Sequence, residues 1–224
     1  MLYATRNGFC EASGVAMART GVFITLEGVD GCGKSTQADL LVDAIESSGR
    51  TVVRLREPGG TRLSEKIRLL VLDPRNDDMC DECELLLYEA ARAQLVREVI
   101  EPALACGTVV VCDRFYDSTL AYQAYGRGLS EGLVRTANDL GRCGLQPDLT
   151  LVFDLDPEEA LKRATFEGAD RLEGEGMEFQ KRVREGYLAL AREEPTRVRL
   201  IDALGTREVV RARMLTAVRD VLGY

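Results

Sequence analysis

Gly28-Val-Asp-Gly-Cys-Gly-Lys34-Ser35-Thr36 is a complete Walker A pattern, held between two elements that fix its geometry. Residues 22–26 before it are apolar and β-branched and read as a buried strand. Residues 35–47 after it carry Ala38, Leu41, Val42 and Ile45 at helical spacing. Strand, glycine loop and helix in that order make a phosphate cradle. The glycines let the backbone turn tightly and aim its N–H groups inward, and the helix N-terminus adds partial positive charge. Gly28, Val29, Asp30, Gly31, Cys32, Gly33, Lys34, Ser35 and Thr36 are therefore the expected triphosphate-binding set. Lys34 is placed to reach the β- and γ-phosphates and the Ser35 hydroxyl to ligate Mg²⁺.

At 224 residues the chain fits one α/β domain with a sizeable core. No run approaches the ~18 consecutive apolar residues of a membrane span. A net charge of −8 argues against broad nucleic-acid or membrane-surface binding, so a nucleotide site is an island of positive charge on an acidic protein. The lysines are Lys34, Lys66, Lys162 and Lys181, so a lysine in the glycine loop is not background. There is no histidine, which removes imidazole bases, Ser-His-Asp triads and His-ligated metals. Catalysis is left to carboxylates, arginine, lysine and a metal ion.

The seven cysteines lack a disulfide-framework spacing and read as reduced thiols of a cytoplasmic protein. Cys80-x-x-Cys83 has no second pair at zinc-ligand spacing and reads as free thiols. Cys32 stands near a helix N-terminus, where a lowered thiol pKa is expected. Residues 1–20 resemble no globular element and are expected to be a disordered extension, with Met17 as the natural start and residues 21–224 as the folded domain.

Further strand-like runs fall at 51–55, 109–112, 149–155 and 198–201, separated by helical patterns. Five strands alternating with helices predict an α/β fold: a five-stranded parallel sheet with helices on both faces, its ligands at the carboxyl ends of the strands. Residues 63–72 and 84–101 read as amphipathic helices, the second placing Tyr88 and Arg92 on one face. Residues 118–125 read as a short helix bringing Thr119 beside Gln123, and Asp156-Pro157-Glu158 as a helix start. The glycine- and charge-rich stretch 165–176 marks a mobile lid over about residues 163–176.

Four further blocks stand in order after the glycine loop. They are Arg56-Glu-Pro-Gly-Gly-Thr61, Tyr88-Glu-Ala-Ala-Arg92, Asp113-Arg-Phe-Tyr-Asp-Ser-Thr-Leu-Ala-Tyr-Gln123 with Gly126-Arg-Gly128, and Ala169-Asp-Arg-Leu-Glu173. Together they closely resemble bacterial thymidylate kinase, from about Val22 to the C-terminus. The resemblance implies a P-loop NTPase fold of the nucleoside-monophosphate kinase type and transfer of the ATP γ-phosphate to dTMP, giving dTDP and ADP. It also implies Mg²⁺ and a homodimer, for which the apolar face of residues 85–100 offers part of an interface.

By that resemblance Arg114 bridges toward the transferred group, Arg68 holds the acceptor phosphate, and Asp30 orients that phosphate or its arginine partner. Asp113 ends a strand as a Walker B carboxylate does and holds the metal with Ser35. Glu57 is a second acidic contact near the metal or the 3′-hydroxyl. The family position that sometimes carries a catalytic arginine in the loop is Gly31 here, so the missing charge is assigned to the lid. The candidates are Arg163 and Arg171, with Arg171 the better motif match. Arg92 only donates hydrogen bonds, which suits thymine O4 and opposes the cytosine amino group. Gln123, with Thr119, complements thymine N3. Tyr88 takes the base-stacking position, and Tyr122 packs against the deoxyribose and leaves no room for a 2′-hydroxyl. Two alternatives stay open at this level: a kinase for another nucleoside monophosphate or nucleoside, and a P-loop switch, the latter weakened by the lack of an Asn-Lys-x-Asp motif.

Overall fold

The computed structural model describes residues 20–163 and 171–223. The expectations for the N-terminal stretch up to residue 19 and for residues 164–170 of the lid lie outside these.

Five parallel strands, β1 (Phe23–Glu27), β2 (Val52–Arg56), β3 (Val109–Asp113), β4 (Leu149–Asp154) and β5 (Val198–Asp202), form one sheet in the order β2-β3-β1-β4-β5. Each expected strand is present, shifted by a residue or so at its ends. The central strands β1 and β3 are buried throughout, as continuous apolar runs require, while the edge strands are partly open. Alternation sorts their side chains between two layers. Phe23, Val110 and Cys112 share an apolar cluster with Leu95, Val96, Ile100 and Leu104. Ile24, Leu26, Val109 and Val111 share the other with Leu41 and Ile45 of α1 (Lys34–Ser47) and with Met214 and Val218 of α9 (Arg207–Leu222).

Between these lie α2 (Arg62–Leu72), α3 (Asp81–Leu95), α4 (Glu101–Ala105), α5 (Tyr116–Thr119), α6 (Glu131–Gly141), α7 (Pro157–Arg163) and α8 (Met177–Glu193). The helix expected over 84–101 is interrupted by a π turn at Val96–Ile100, where the Glu101 N–H reaches back to the Val96 carbonyl. Pro102 follows directly, has no N–H to give and would crowd the Glu98 carbonyl in a regular helix, so the wider turn relieves it. The short helix expected over 118–125 is likewise α5 followed by a π turn at Leu120–Gly126.

Within the stretch 85–100 expected to offer part of a dimer face, Leu85, Leu95, Val96 and Ile100 are buried in the chain's own core. Exposed apolar side chains nearby are Leu86 and, on α2, Leu69 and Leu70. No helix among the described residues is long and apolar enough to cross a membrane.

Candidate active site

A cleft of about 540 Å³ opens where β1, β2 and β3 end. That is where a parallel sheet gathers its ligands. One end is the glycine loop. Gly31 has φ +81, and a Cβ there would lie 2.2 Å from the Ala160 carbonyl oxygen of α7, so no side chain, arginine included, fits at this position. A Cβ on Gly28, at φ +136, would lie 2.6 Å from the Phe153 carbonyl oxygen. Asp30, Gly31, Gly33, Lys34, Ser35 and Thr36 line the cleft. Val29 and Cys32 point instead into the core, so their share in a phosphate cradle is their backbone.

The Lys34 ammonium donates to the carbonyls of Gly28 (2.9 Å) and Val29 (2.8 Å) and stands 3.9 Å from Asp30. Ser35 Oγ donates to Asp113 Oδ2 at 2.7 Å. A hydroxyl and a carboxylate side by side are hard oxygen donors of the kind Mg²⁺ takes, and no imidazole or thiol competes in the pair. The expected low pKa of Cys32 is overturned: burial pushes the thiol up, and the nearby Lys34 and Arg114 charges only partly offset this. Cys80 and Cys83 are exposed free thiols.

Arg114 lies at the middle of the cleft. Its backbone has φ 72, a left-handed conformation unusual for a residue with a side chain, held by its N–H to Leu26 O at 2.9 Å. The guanidinium donates to the Gly28 carbonyl (3.2 Å), Ser118 Oγ (3.1 Å), Tyr187 OH (3.1 Å), Tyr122 OH (3.0 Å) and Asp30. Tyr122 in turn donates to Asp30 at 2.9 Å. Burial would raise the Asp30 carboxyl, but the Arg114 and Lys34 charges and these hydrogen bonds hold it at about 2.

Behind Arg114 is Glu27, a residue the sequence reading passed over. It is wholly buried and accepts from the Phe115 N–H (2.7 Å), Ser118 Oγ (2.5 Å) and Tyr187 OH (3.0 Å). Burial and the Asp117 charge push its pKa to about 7 against the pull of Arg114. A carboxylate closing an apolar strand immediately before the glycine loop was the available signal. Asp117 is also buried; bonded to Thr150 (2.9 Å) and paired with Arg197, it anchors α5 so that Ser118 and Thr119 face the cleft.

At the far end Arg92 is 2% exposed. Nε donates to Glu57 (2.8 Å), Nη1 to Glu89 and to Asn138 (3.3 Å), and Nη2 to Thr119 Oγ1 (2.9 Å). One Nη2 hydrogen is left for the cleft that Arg92 lines. Glu57 thus sits with the base-side arginine, while the metal-type pair of Ser35 and Asp113 bond each other. One guanidinium between two buried carboxylates leaves negative charge uncompensated. Burial, with the charges of Glu89 and Glu27, therefore raises Glu57 to about 7 despite Arg92. Glu57 Oε1 and Glu89 Oε2 are buried without a partner among the described residues. Arg68 donates to the Pro58 carbonyl at 3.1 Å, after a cis Glu57–Pro58 peptide, and lines the cleft with Tyr88.

The π turn brings the successive residues Tyr122 and Gln123 to the same cleft, with Thr119 one turn before. Gln123 Nε2 donates to Glu84 at 2.7 Å. Glu84 was missed. It lies on the buried face of α3, four residues before Tyr88 and eight before Arg92, where a carboxylate has no place unless it is partnered.

The two lid arginines separate. Arg163 lines the cleft and donates to the Ala203 carbonyl at 3.1 Å. Arg171, the better motif match, is turned onto Glu84 and the Val71 carbonyl (3.2 Å), and is not among the cleft-lining residues.

A family model described as thymidylate kinase matches residues 26–214. The thymidylate kinase of Desulfosudis oleivorans is 54% identical over 208 residues, covering 89% of this chain and 97% of that one. That of Caldanaerobacter subterraneus subsp. tengcongensis is 48% identical over 202 residues, covering 90% and 97%. The crystal structure of thymidylate kinase from Ehrlichia chaffeensis superposes with a TM-score of 0.72 at 35% identity, covering 88% of this chain and 98% of that one. With a glycine loop at one end of its cleft and a buried arginine network at the other, the chain belongs to the thymidylate kinase family.

Proposed function

We propose that this protein transfers the γ-phosphoryl group of ATP to dTMP, giving dTDP and ADP, by docking the two nucleotides end to end in the cleft. The observation that carries the reading is the position of Arg114. One guanidinium touches the glycine loop at Gly28 and Asp30 and the acceptor-side Tyr122, at the point where two phosphate chains would meet.

Phosphoryl transfer gives a protein little covalent work, so positioning and charge carry the rate. Lys34 leaves the Gly28 and Val29 carbonyls for the β- and γ-phosphates, and the loop N–H groups fix the donor. Arg68 holds the dTMP phosphate. Arg114, aimed by Asp30 and Tyr122, offsets the repulsion between the two polyanions. Arg163 supplies further charge from the lid side. Ser35 and Asp113 would hold Mg²⁺, which neutralises charge on the β- and γ-oxygens when bound. At the base end Arg92 keeps an Nη2 hydrogen for thymine O4, Tyr88 stacks on the ring, and Tyr122 closes the space at the deoxyribose 2′ carbon.

A homodimer and a cytoplasmic location complete the reading. The exposed Leu69, Leu70 and Leu86 support the first, and the free thiols of all six described cysteines support the second. A coupled ADP-release assay with ATP and Mg²⁺ against dTMP, dUMP, dCMP, GMP, AMP and thymidine tests the function. dTMP should give the highest kcat/KM; preference for another acceptor, or turnover without any, would overturn it. Light scattering on a sizing column tests the dimer.

A further inference from the structure

We propose that Glu84 is a specificity-determining positioning residue: it sets the Gln123 amide so that the cleft presents a hydrogen-bond acceptor to the thymine N3–H. The inference rests on the dTMP reading above and extends it to a residue that need not touch the nucleotide.

Glu84 is 0% exposed, a carboxylate on the buried face of α3 that also carries Leu85, Ala91, Arg92 and Leu95. Its oxygens accept from Gln123 Nε2 (2.7 Å), from Arg127 Nε (3.3 Å) and Nη2 (3.0 Å), and from Arg171. Two guanidinium groups on one carboxylate keep it ionised. Burial would raise its pKa, but the bonds from Arg127 and Gln123 and the charges of Arg127 and Arg171 hold it below the usual carboxylate range. An ionised carboxylate only accepts hydrogen bonds. The end of the Gln123 amide that faces it must therefore be the NH₂ group, and the amide cannot turn over without setting oxygen against oxygen in a buried site. Gln123 Oε1 is left without a hydrogen bond among the described residues, on a side chain that lines the cleft.

The consequence is a fixed polarity. Thymine offers a donor at N3 and an acceptor at O4; cytosine offers an acceptor at N3 and a donor at N4. Gln123 Oε1 and the Arg92 N–H fit the first pattern and oppose the second. Arg92 cannot reverse its polarity, but an unanchored glutamine can. Glu84 removes that freedom.

The test measures kcat/KM for dTMP and dCMP at saturating ATP in wild type, Glu84→Gln, Gln123→Ala and the double variant. The amide introduced by Glu84→Gln can present either its oxygen or its nitrogen, so the Gln123 amide can turn. The dTMP-over-dCMP preference should then fall by on the order of tenfold, the worth of one mismatched buried hydrogen bond, with most of the change in KM. In the Gln123→Ala background the same Glu84 change should move the preference by less than about twofold, since the effect runs through Gln123. A folded Glu84→Gln variant with unchanged preference overturns the proposal, as does an equal loss in both backgrounds. If Glu84→Gln melts before assay, Glu84→Asp withdraws the carboxylate from Gln123 while keeping its charge, and should shift the preference in the same direction; no shift overturns the proposal. Wild-type protein that forms no dTDP would overturn the kinase reading and this inference with it, an outcome distinct from an active wild type whose preference does not respond to Glu84.

Discussion

The two ends of the cleft are built by different means. The donor end is one contiguous stretch, residues 28–36, and works through backbone: Gly31 must lack a side chain to lie on Ala160, and Val29 and Cys32 contribute no side chain to the cleft. The acceptor end takes residues from the ends of β2 and β3, from α2, α3, α5 and α6, and from the π turn after α5, and works through side chains, with Glu57, Glu89, Asn138 and Thr119 all bonded to Arg92. A backbone site depends on a few glycines and one lysine. A side-chain site depends on every partner of its buried charges, so damage to it should appear in stability and substrate choice together.

Arg114 joins the two ends, and its loss should be the largest effect. Arg114→Ala is expected to lower kcat by about 10³-fold or more, the scale of an arginine acting on the transferred phosphoryl group. It should also weaken the positioning of Asp30, so steady-state kinetics in both substrates would show kcat falling and the dTMP KM rising. A change confined to the ATP KM would place Arg114 with the donor end alone.

Arg92→Ala separates the ends. It should reduce kcat/KM for dTMP by about 10²-fold or more while leaving ATP affinity near wild type. It also strands Glu57 and Glu89 as buried carboxylates, which costs about 3–5 kcal/mol of stability. Denaturant unfolding beside kinetics checks both. Equal losses for the two nucleotides would mean that the ends are not independent.

The two lid arginines should respond differently. Arg163→Ala should lower kcat by on the order of tenfold or more with little change in the dTMP KM, as for a charge added near the transferred group. Arg171→Ala removes a partner of Glu84 and should lower Tm and raise the dTMP KM, with the smaller effect on kcat. If Arg171→Ala instead lowers kcat alone, the lid must carry Arg171 from Glu84 to the phosphates during turnover.

The smallest effect concerns pH. Glu27 and Glu57 have pKa values of about 7 in the fold against an ordinary 4.5, so between these values the folded chain binds protons that the unfolded chain has lost. Their contribution to stability is full below about pH 4.5 and is lost as pH rises through 7. Asp30, held at about 2, acts only at far lower pH. Wild-type Tm should decline between about pH 4.5 and 7 and level off above that, and Glu27→Gln should flatten the decline; an unchanged slope would show that Glu27 is not protonated in the fold.

The donor end was legible in sequence because its chemistry is local. The strand before it, the helix after it and the glycines between them each have their own signature, and the remaining strands followed from apolar β-branched runs. The acceptor end was legible only as motif blocks. An arginine on a helix reads as exposed, so the burial of Arg92 among two carboxylates needed the fold. Glu84 looked like one more acid at a helix start until tertiary packing turned it inward onto Gln123, Arg127 and Arg171. The π turns after Leu95 and Thr119 escaped because the apolar period continues through them. The helix N-terminus beside Cys32 is visible in the sequence, but the burial that raises its thiol pKa is not. Motif alone favours Arg171 of the two lid arginines; the fold adds that Arg163 lines the cleft and Arg171 bonds Glu84.

One end of the cleft is built for the triphosphate and the other for choosing the acceptor, and Arg114 joins them. The most direct measurement follows the label of γ-³²P-labelled ATP incubated with the protein and Mg²⁺, with and without dTMP. This two-ended cleft should place label in the β-phosphate of dTDP, dependent on dTMP. Label released as inorganic phosphate at the same rate whether or not dTMP is present would contradict it.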